Sequence, residues 1–209
     1  MNKEVSFEDL GFRDYKAVWD YQEQRFQEIL DTKINNRRQG AKDPTPNYVL
    51  FVEHPHVYTL GKSGDHQNML ISESFLSKID ATYFKIDRGG DITYHGPGQR
   101  VTYVLLDLKK RSKDVRQFVH ALEGWVIATL ADFGVEAFAV PERIGIWTHE
   151  ADGSEAKIGA IGVRVRRWVT MHGFAVNCTT EPEWFEWRVP CGLDRPVTWL
   201  SQLAGGRVA

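Results

Sequence analysis

The chain has 209 residues, 42% hydrophobic and 26% charged, with a formal net charge of −2. That length predicts one domain over residues 1–209 with a substantial buried core, and that charge argues against a nucleic-acid binder. Two cysteines make no disulfide framework, no stretch approaches the ~20 apolar residues that span a bilayer, and the N-terminus lacks an apolar signal core, so a cytoplasmic protein that engages no membrane is expected.

Asp14–Arg38 reads as a helix, with Tyr15, Val18, Trp19, Phe26, Ile29, Leu30 and Ile34 near one face. Residues 37–47 follow as a loop by their Gly, Pro and polar content. Tyr48–Glu53 is a short apolar strand, and His54–Leu60 is expected to continue its sheet after a proline-marked bend. Thr82–Asp87 and Val101–Leu108 are strand-like by their β-branched and aromatic content. Between them lies Arg88-Gly89-Gly90-Asp91-Ile92-Thr93-Tyr94-His95-Gly96-Pro97-Gly98-Gln99, whose glycines and prolines predict a binding loop rather than a regular element. Lys113–Phe133 is the second helix, with Ser112 or Asp114 as N-cap and Gly134 as its stop. Ala137–Val140, Ile144–Thr148, Ile158–Arg166 and Val169–Val176 read as successive strands, Asp152-Gly153 turning one hairpin, and Thr198 is expected to cap a last short helix. The fold class is α+β (mixed α/β), a largely antiparallel sheet flanked by helices.

Several residues carry chemistry. Gly61-Lys62-Ser63 ends like a P-loop, but His56 stands where that motif needs its first glycine. Cys191, between Pro190 and Gly192, sits in a turn-forming context with little bulk around it, so it is either a nucleophile or structural. A free thiol titrates near ~8.5 and needs a neighbouring cation to ionise at neutral pH. Lys157 is a candidate for that cation: strict alternation gives it the parity of Ile161, Val163 and Val165, and it points inward if no bulge intervenes. Cys178 ends an apolar strand and reads as buried and inert. His54 and His56 lack a further ligand at metal spacing, so no metal site is expected. His95 and His172 are candidates to line one pocket. Arg164, Arg166 and Arg167 form one basic edge and Lys109, Lys110, Arg111 and Lys113 another; both read as solvated faces or as docking surfaces for an acidic protein.

Four blocks together resemble the lipoyl(octanoyl) transferases of the biotin/lipoate protein ligase superfamily: Glu53–Gly61, Arg88–Gln99, Lys157–Arg167 followed by His172–Asn177, and Pro190–Leu193. The resemblance implies the catalytic core shared by biotin and lipoate ligases. It implies transfer of an octanoyl group from octanoyl-acyl carrier protein to a lysine of lipoyl domains, those of 2-oxoacid dehydrogenases and of the glycine cleavage H protein. Cys191 then matches the acyl-thioester nucleophile and Lys157 its partner. Arg88, Gly89, Gly90, Asp91, Ile92, Thr93, Tyr94 and His95 match substrate-contacting positions, as do Ala160, Ile161, Gly162, Gly173, Phe174 and Ala175. No cofactor, neither ATP nor metal, is implied, and a monomer is the simplest state. Glu181–Val189 carries aromatic bulk just before Cys191, which bears on acyl-chain length. The rival on the same fold is an ATP-dependent lipoate or biotin protein ligase, in which Cys191 would be unnecessary.

Overall fold

The computed structural model describes residues 2–65, 72–111, 113–186 and 196–206. Cys191 and its neighbours Pro190, Gly192 and Leu193 lie outside the described residues, as do residues 187–189.

Among the described residues, ten strands form two sheets. β1 (Ser6–Phe12), β2 (Tyr48–Glu53), β6 (Gln99–Leu105), β7 (Ala137–Val140), β8 (Arg143–His149), β9 (Glu155–Arg166) and β10 (Val169–Asn177) build a sheet in the order β1-β2-β6-β10-β9-β8-β7. Only β1 and β2 pair in parallel within it. β3 (Val57–Leu60), β4 (Thr82–Lys85) and β5 (Ile92–His95) form a second sheet in the order β4-β3-β5.

Two helices sandwich the larger sheet. α1 (Tyr15–Gln39) begins at Asp14, whose carboxylate accepts from Ala17 N–H, and ends at Gly40 in the left-handed conformation. Its Val18, Phe26, Ile29 and Leu30 pack on Leu50, Val101, Tyr103 and Met171. α3 (Val115–Asp132) covers the other face, where Phe118, Leu122, Val126 and Leu130 meet Val49, Val104, Ile146 and Ile158. Both faces are buried, so the central strands read as near-continuous apolar runs. Short helices α2 (Glu73–Lys78) and α4 (Glu183–Glu186) flank the small sheet, and α5 (Leu200–Leu203) packs through Leu200 into the α3-side core.

Three expectations are corrected. His54–Leu60 does not continue the sheet of β2; the bend moves Val57–Leu60 into the small sheet. A third of the glycine-rich stretch is not loop, because Ile92–His95 pairs antiparallel with β3 as a strand. Thr198 caps nothing: Trp199 occupies the N-cap of α5, while Thr198 is buried and its carbonyl accepts from Asn177.

Asp114 caps α3 by accepting from both Arg116 N–H and Gln117 N–H. Asp114→Ala is expected to cost about 1 kcal/mol, read as a lower urea midpoint with an unchanged slope.

Candidate active site

A cavity opens between the two sheets. Its floor is the α1-side face of the large sheet, with Val101 and Tyr103 from β6, Ala160 and Gly162 from β9, and Gly173 and Ala175 from β10. Its roof is Thr93 and His95 from β5, together with Arg88, and Tyr15 from the first turn of α1 closes one side. Period-two alternation explains the roof: Thr93 and His95 face the cavity while Ile92 and Tyr94 turn away into the core of the small sheet.

The middle of the floor is lined by small residues, which leaves space above it. Ala160 pairs with Ala175 and Gly162 with Gly173 across the β9–β10 ladder, so no side chain longer than a methyl rises from these four positions. Gly173 has a second reason to be glycine: a Cβ there would lie 2.1 Å from the Thr102 carbonyl oxygen.

Arg88 is buried, with 7% of its surface exposed. Its Nη2 donates to the Thr59 carbonyl at 2.7 Å and to Thr59 Oγ1 at 3.0 Å, and its Nη1 donates to the Gly89 carbonyl at 3.0 Å. Gly89 N–H donates to Val163 O at 3.0 Å, which ties the roof to β9. The loop's other backbone groups hold the neighbouring loop: Gly61, Lys62 and Ser63 N–H donate to the Asp91, Arg88 and Gly90 carbonyls. These backbone groups serve docking between loops.

His95 is held neutral. Its ring lies buried among Tyr15, His54 and Arg88, and burial pushes its pKa down to about 3. Its tautomer follows from a chain of bonds. The Thr198 carbonyl can only accept, so Asn177 Nδ2 donates to it at 3.1 Å; Asn177 Oδ1 then accepts from Gln99 Nε2 at 2.9 Å. Gln99 Oε1 is thereby left to accept from His95 Nδ1–H at 2.7 Å, which makes Nε2 the lone-pair nitrogen. His54, lowered to about 4 by burial, bonds the Arg13 carbonyl through Nδ1 and Tyr103 Oη through Nε2. His56 bonds Tyr94 Oη through Nδ1 and stacks on Trp184.

His172 joins the cavity wall, as expected, with an unusual backbone φ of +63°. Its Nε2 meets Asp87 Oδ1 at 3.3 Å, and this bond, ahead of nearby Arg164, holds the Asp87 carboxyl below its ordinary pKa. Arg164 is no solvated edge: it pairs with Asp87 at 2.9 Å and with Glu23 at 2.5 Å and is largely buried.

Lys157 is also corrected. Ile146 pairs with Gly159 and Trp147 with Lys157, so Ile158 is an extra residue in β9. The bulge lets both Ile158 and Ile161 face the α3-side core and turns Lys157 to the opposite face, that of Ala160 and Gly162. Its ammonium donates to the Ile144 carbonyl at 3.2 Å and lies over the Trp147 ring. The side chain has room because residue 145 is glycine, with φ of +141°; a Cβ there would stand 2.5 Å from Lys157 Cε. The backbone of Lys157 also holds the segment that follows Cys191: Lys157 N–H donates to Pro196 O at 2.9 Å and Thr198 N–H to Lys157 O at 3.1 Å.

Of the sequence candidates, Arg88, Thr93, His95, Ala160, Ile161, Gly162, Gly173, Phe174 and Ala175 line the cavity. Gly89, Gly90, Asp91, Ile92, Tyr94 and Lys157 do not, and Cys191 lies outside the described residues. Tyr15, Val101 and Tyr103 were missed; strand alternation in Val101–Tyr103 puts both on one face but does not say which. Cys178 is partly exposed, and burial raises its pKa, which disfavours the thiolate. Trp184 stacks on Tyr94 and Phe185 meets it edge-on, so these two rings pack on the small sheet, on the side of Tyr94 that turns away from the cavity.

His54 and His95 couple folding to pH. An unfolded histidine titrates near 6.5, so between that value and about 4 the unfolded chain binds protons that these folded residues refuse. Their stabilisation is complete above 6.5 and is lost as pH falls, with a slope of up to roughly 1.4 kcal/mol per unit for each. Urea unfolding from pH 7.5 to 4.5 is expected to show this decline, and His95→Gln to flatten it.

Residues 14–209 match the family described as the lipoyl protein ligase A/B catalytic domain. The chain is 52% identical over 202 residues to a protein of Flavobacterium psychrophilum named octanoyltransferase, covering 96% of this chain and 87% of that one. It is 53% identical over 202 residues to a protein of the same name from Christiangramia forsetii, covering 96% and 86%. Among solved structures, the bipartite lipoate protein ligase of Thermoplasma acidophilum superposes with a TM-score of 0.64 at 15% identity, over 100% of this chain and 74% of that one. A lipoate-protein ligase A bound with ATP gives 0.64 at 13% identity, over 97% and 77%. No described helix is long and apolar enough to cross a membrane. The two-sheet core around a cavity floored by small residues, and this match across nearly the whole chain, place the protein in the lipoyl protein ligase A/B catalytic domain family.

Proposed function

We propose that this protein acts as a monomer that moves an octanoyl group from acyl carrier protein to a specific lysine of lipoyl domains, through a thioester on Cys191. The enzyme is an acyltransferase of protein lipoylation, in keeping with the names of relatives about half identical to it. The observation that carries the finer reading is the pinning of the chain after Cys191 to Lys157, on the strand that also floors the cavity.

The chemistry runs in two balanced steps. The Cys191 sulfur, its proton passed to Lys157, attacks the carbonyl carbon of the donor thioester; a new C–S bond forms, the old one breaks, and the carrier thiolate takes the proton back. The ε-amine of the target lysine then attacks the same carbon, the C–Sγ bond breaks, and Lys157 accepts the amine's surplus proton before returning one to the Cys191 sulfur. The first step exchanges one thioester for another and is nearly balanced. The second forms an amide, which draws the sequence forward. The octanoyl chain occupies the cavity over Ala160, Gly162, Gly173 and Ala175, where the neutral form of His95 avoids placing a second buried cation beside Arg88.

Intact-protein mass spectrometry tests this. With octanoyl-acyl carrier protein and no ATP, the wild type is expected to gain one octanoyl group, discharged by apo lipoyl domain, and Cys191→Ala to gain none. Mass gain only when free fatty acid and ATP are supplied would favour the ligase chemistry of the structural neighbours. Lys157→Met is expected to slow acylation by about 10²–10⁴-fold, the usual scale for losing a general acid–base group, and to move the rate optimum to higher pH, read by quenched acylation time courses.

A further inference from the structure

Glu123, midway along α3, is a buried carboxylate outside the cavity wall, with 3% of its surface exposed. A carboxylate out of solvent needs donors to offset its desolvation, and Glu123 has them. Gly145 N–H, in β8, donates to its Oε1 at 3.3 Å. His120, one turn earlier on α3, donates from Nδ1 to its Oε2 at 2.8 Å. His120 is mostly exposed, whereas the bond to β8 is buried.

The peptide that carries this N–H also carries the Ile144 carbonyl, which accepts from the Lys157 ammonium at 3.2 Å. A trans peptide is planar, its N–H and C=O point opposite ways, and its dipole of about 3.5 D is positive at the N–H end. Here the positive end meets the Glu123 carboxylate and the negative end meets the Lys157 ammonium. Negative charge at Glu123 therefore favours the protonated lysine twice, by attraction and by strengthening the Ile144 carbonyl as an acceptor. Glycine at 145 is what lets the lysine lie alongside this peptide, because a Cβ there would stand 2.5 Å from Lys157 Cε and 3.0 Å from its Nζ. Other charged groups lie near. Arg143 and Glu155 pair with each other at 2.8 Å, and Arg143 lies over the Trp147 ring as Lys157 does. Arg116 and Glu142 line an outer groove with His120 and Ile144. The segment after Cys191 meets Lys157 through the backbone of Pro196 and Thr198. Of these groups Glu123 is the buried charge, and it stands in line with the lysine's hydrogen bond.

We propose that Glu123 is a positioning residue for Lys157: through the peptide between Ile144 and Gly145 it aims a carbonyl at the ammonium and strengthens the lysine's hold on its proton. The inference rests on the role given to Lys157 in the transfer above. In the first step the carrier thiolate takes its proton from Lys157, so the step fails once the lysine is deprotonated in alkaline solution. Glu123 sets the pH at which that happens. A carboxylate that merely fastened β8 to α3 would affect stability and leave that pH unchanged.

NMR on protein labelled at the lysine ε-carbons reads the Lys157 titration, its resonance assigned by its loss in Lys157→Arg. Glu123→Gln keeps an acceptor for Gly145 N–H and removes the charge. In this variant Lys157 is expected to lose its proton about one pH unit lower, the effect of losing one nearby opposite charge. The alkaline limb of acylation by octanoyl-acyl carrier protein is expected to move down with it, opposite in direction to the change expected for Lys157→Met. In the wild type the Ile144 carbonyl and Glu123 carboxyl resonances are expected to shift in step with Lys157, a readout that stands even if Glu123→Gln fails to fold. Lys157 titrating alike in wild type and Glu123→Gln, or Ile144 and Glu123 resonances indifferent to its titration, overturns the inference and leaves the transfer reading intact. A Lys157 shift seen by NMR with no movement of the acylation limb overturns the role of Lys157 in transfer, and the positioning role with it.

Discussion

The contact between the Arg88 loop and β9 makes the site possible. Gly89 N–H on Val163 O, together with Asp87 on Arg164 and His172, ties the small sheet over the large one, while the Arg88 guanidinium on Thr59 holds the loop against β3. The guanidinium is charged and nearly out of solvent, so it needs its carbonyl and hydroxyl acceptors to offset desolvation. Those acceptors sit on β3, in the middle of the small sheet. One residue thus lines the cavity and also holds the loop that docks on β9.

Several titratable side chains stand in or beside the cavity wall, yet it carries little formal charge. His54, His95 and His172 are all pushed towards the neutral form, chiefly by burial, and burial also keeps Tyr15 and Tyr103 protonated. Their hydrogen bonds run outward, to Arg13, Gln99, Asp87 and one another, rather than into the space between the sheets. An apolar chain therefore meets ring faces and small side chains over most of the wall. Orientation of the His95 imidazole is set from a backbone carbonyl inward, through Asn177 and Gln99, which leaves no freedom for an amide flip to reverse it.

Both long helices and most strands were legible in the sequence because their cause is local: caps at Asp14 and Asp114, period 3.6 between them, and apolar runs bounded by turns. The glycine-rich stretch and the paired small residues of β9 and β10 pointed to the right cavity for the same reason. What could not be read was non-local. β1 exposes much of its length, with no apolar alternation to announce it, and is a strand because β2 offers it an edge. Ile92–His95 looks too broken for a strand until β3 pairs with it. The Ile158 bulge inverts the parity on which the direction of Lys157 was argued, and a bulge is written in the register of two strands rather than in either one. Arg164 reads as a surface charge unless Asp87 and Glu23, distant in sequence, are known to meet it.

The Gly89–Val163 bond also has a kinetic side. It joins residues far apart in the chain, and between them come β5, β6, α3, β7 and β8, which must first find their places. Loop-closure entropy is lost before such a contact returns anything, so it belongs to the slow, late part of assembly. The large sheet with its two helices can be complete while the small sheet is still undocked. Partial opening takes the reverse route: the gap between the sheets is the first feature to go, before any strand of the main ladder is lost.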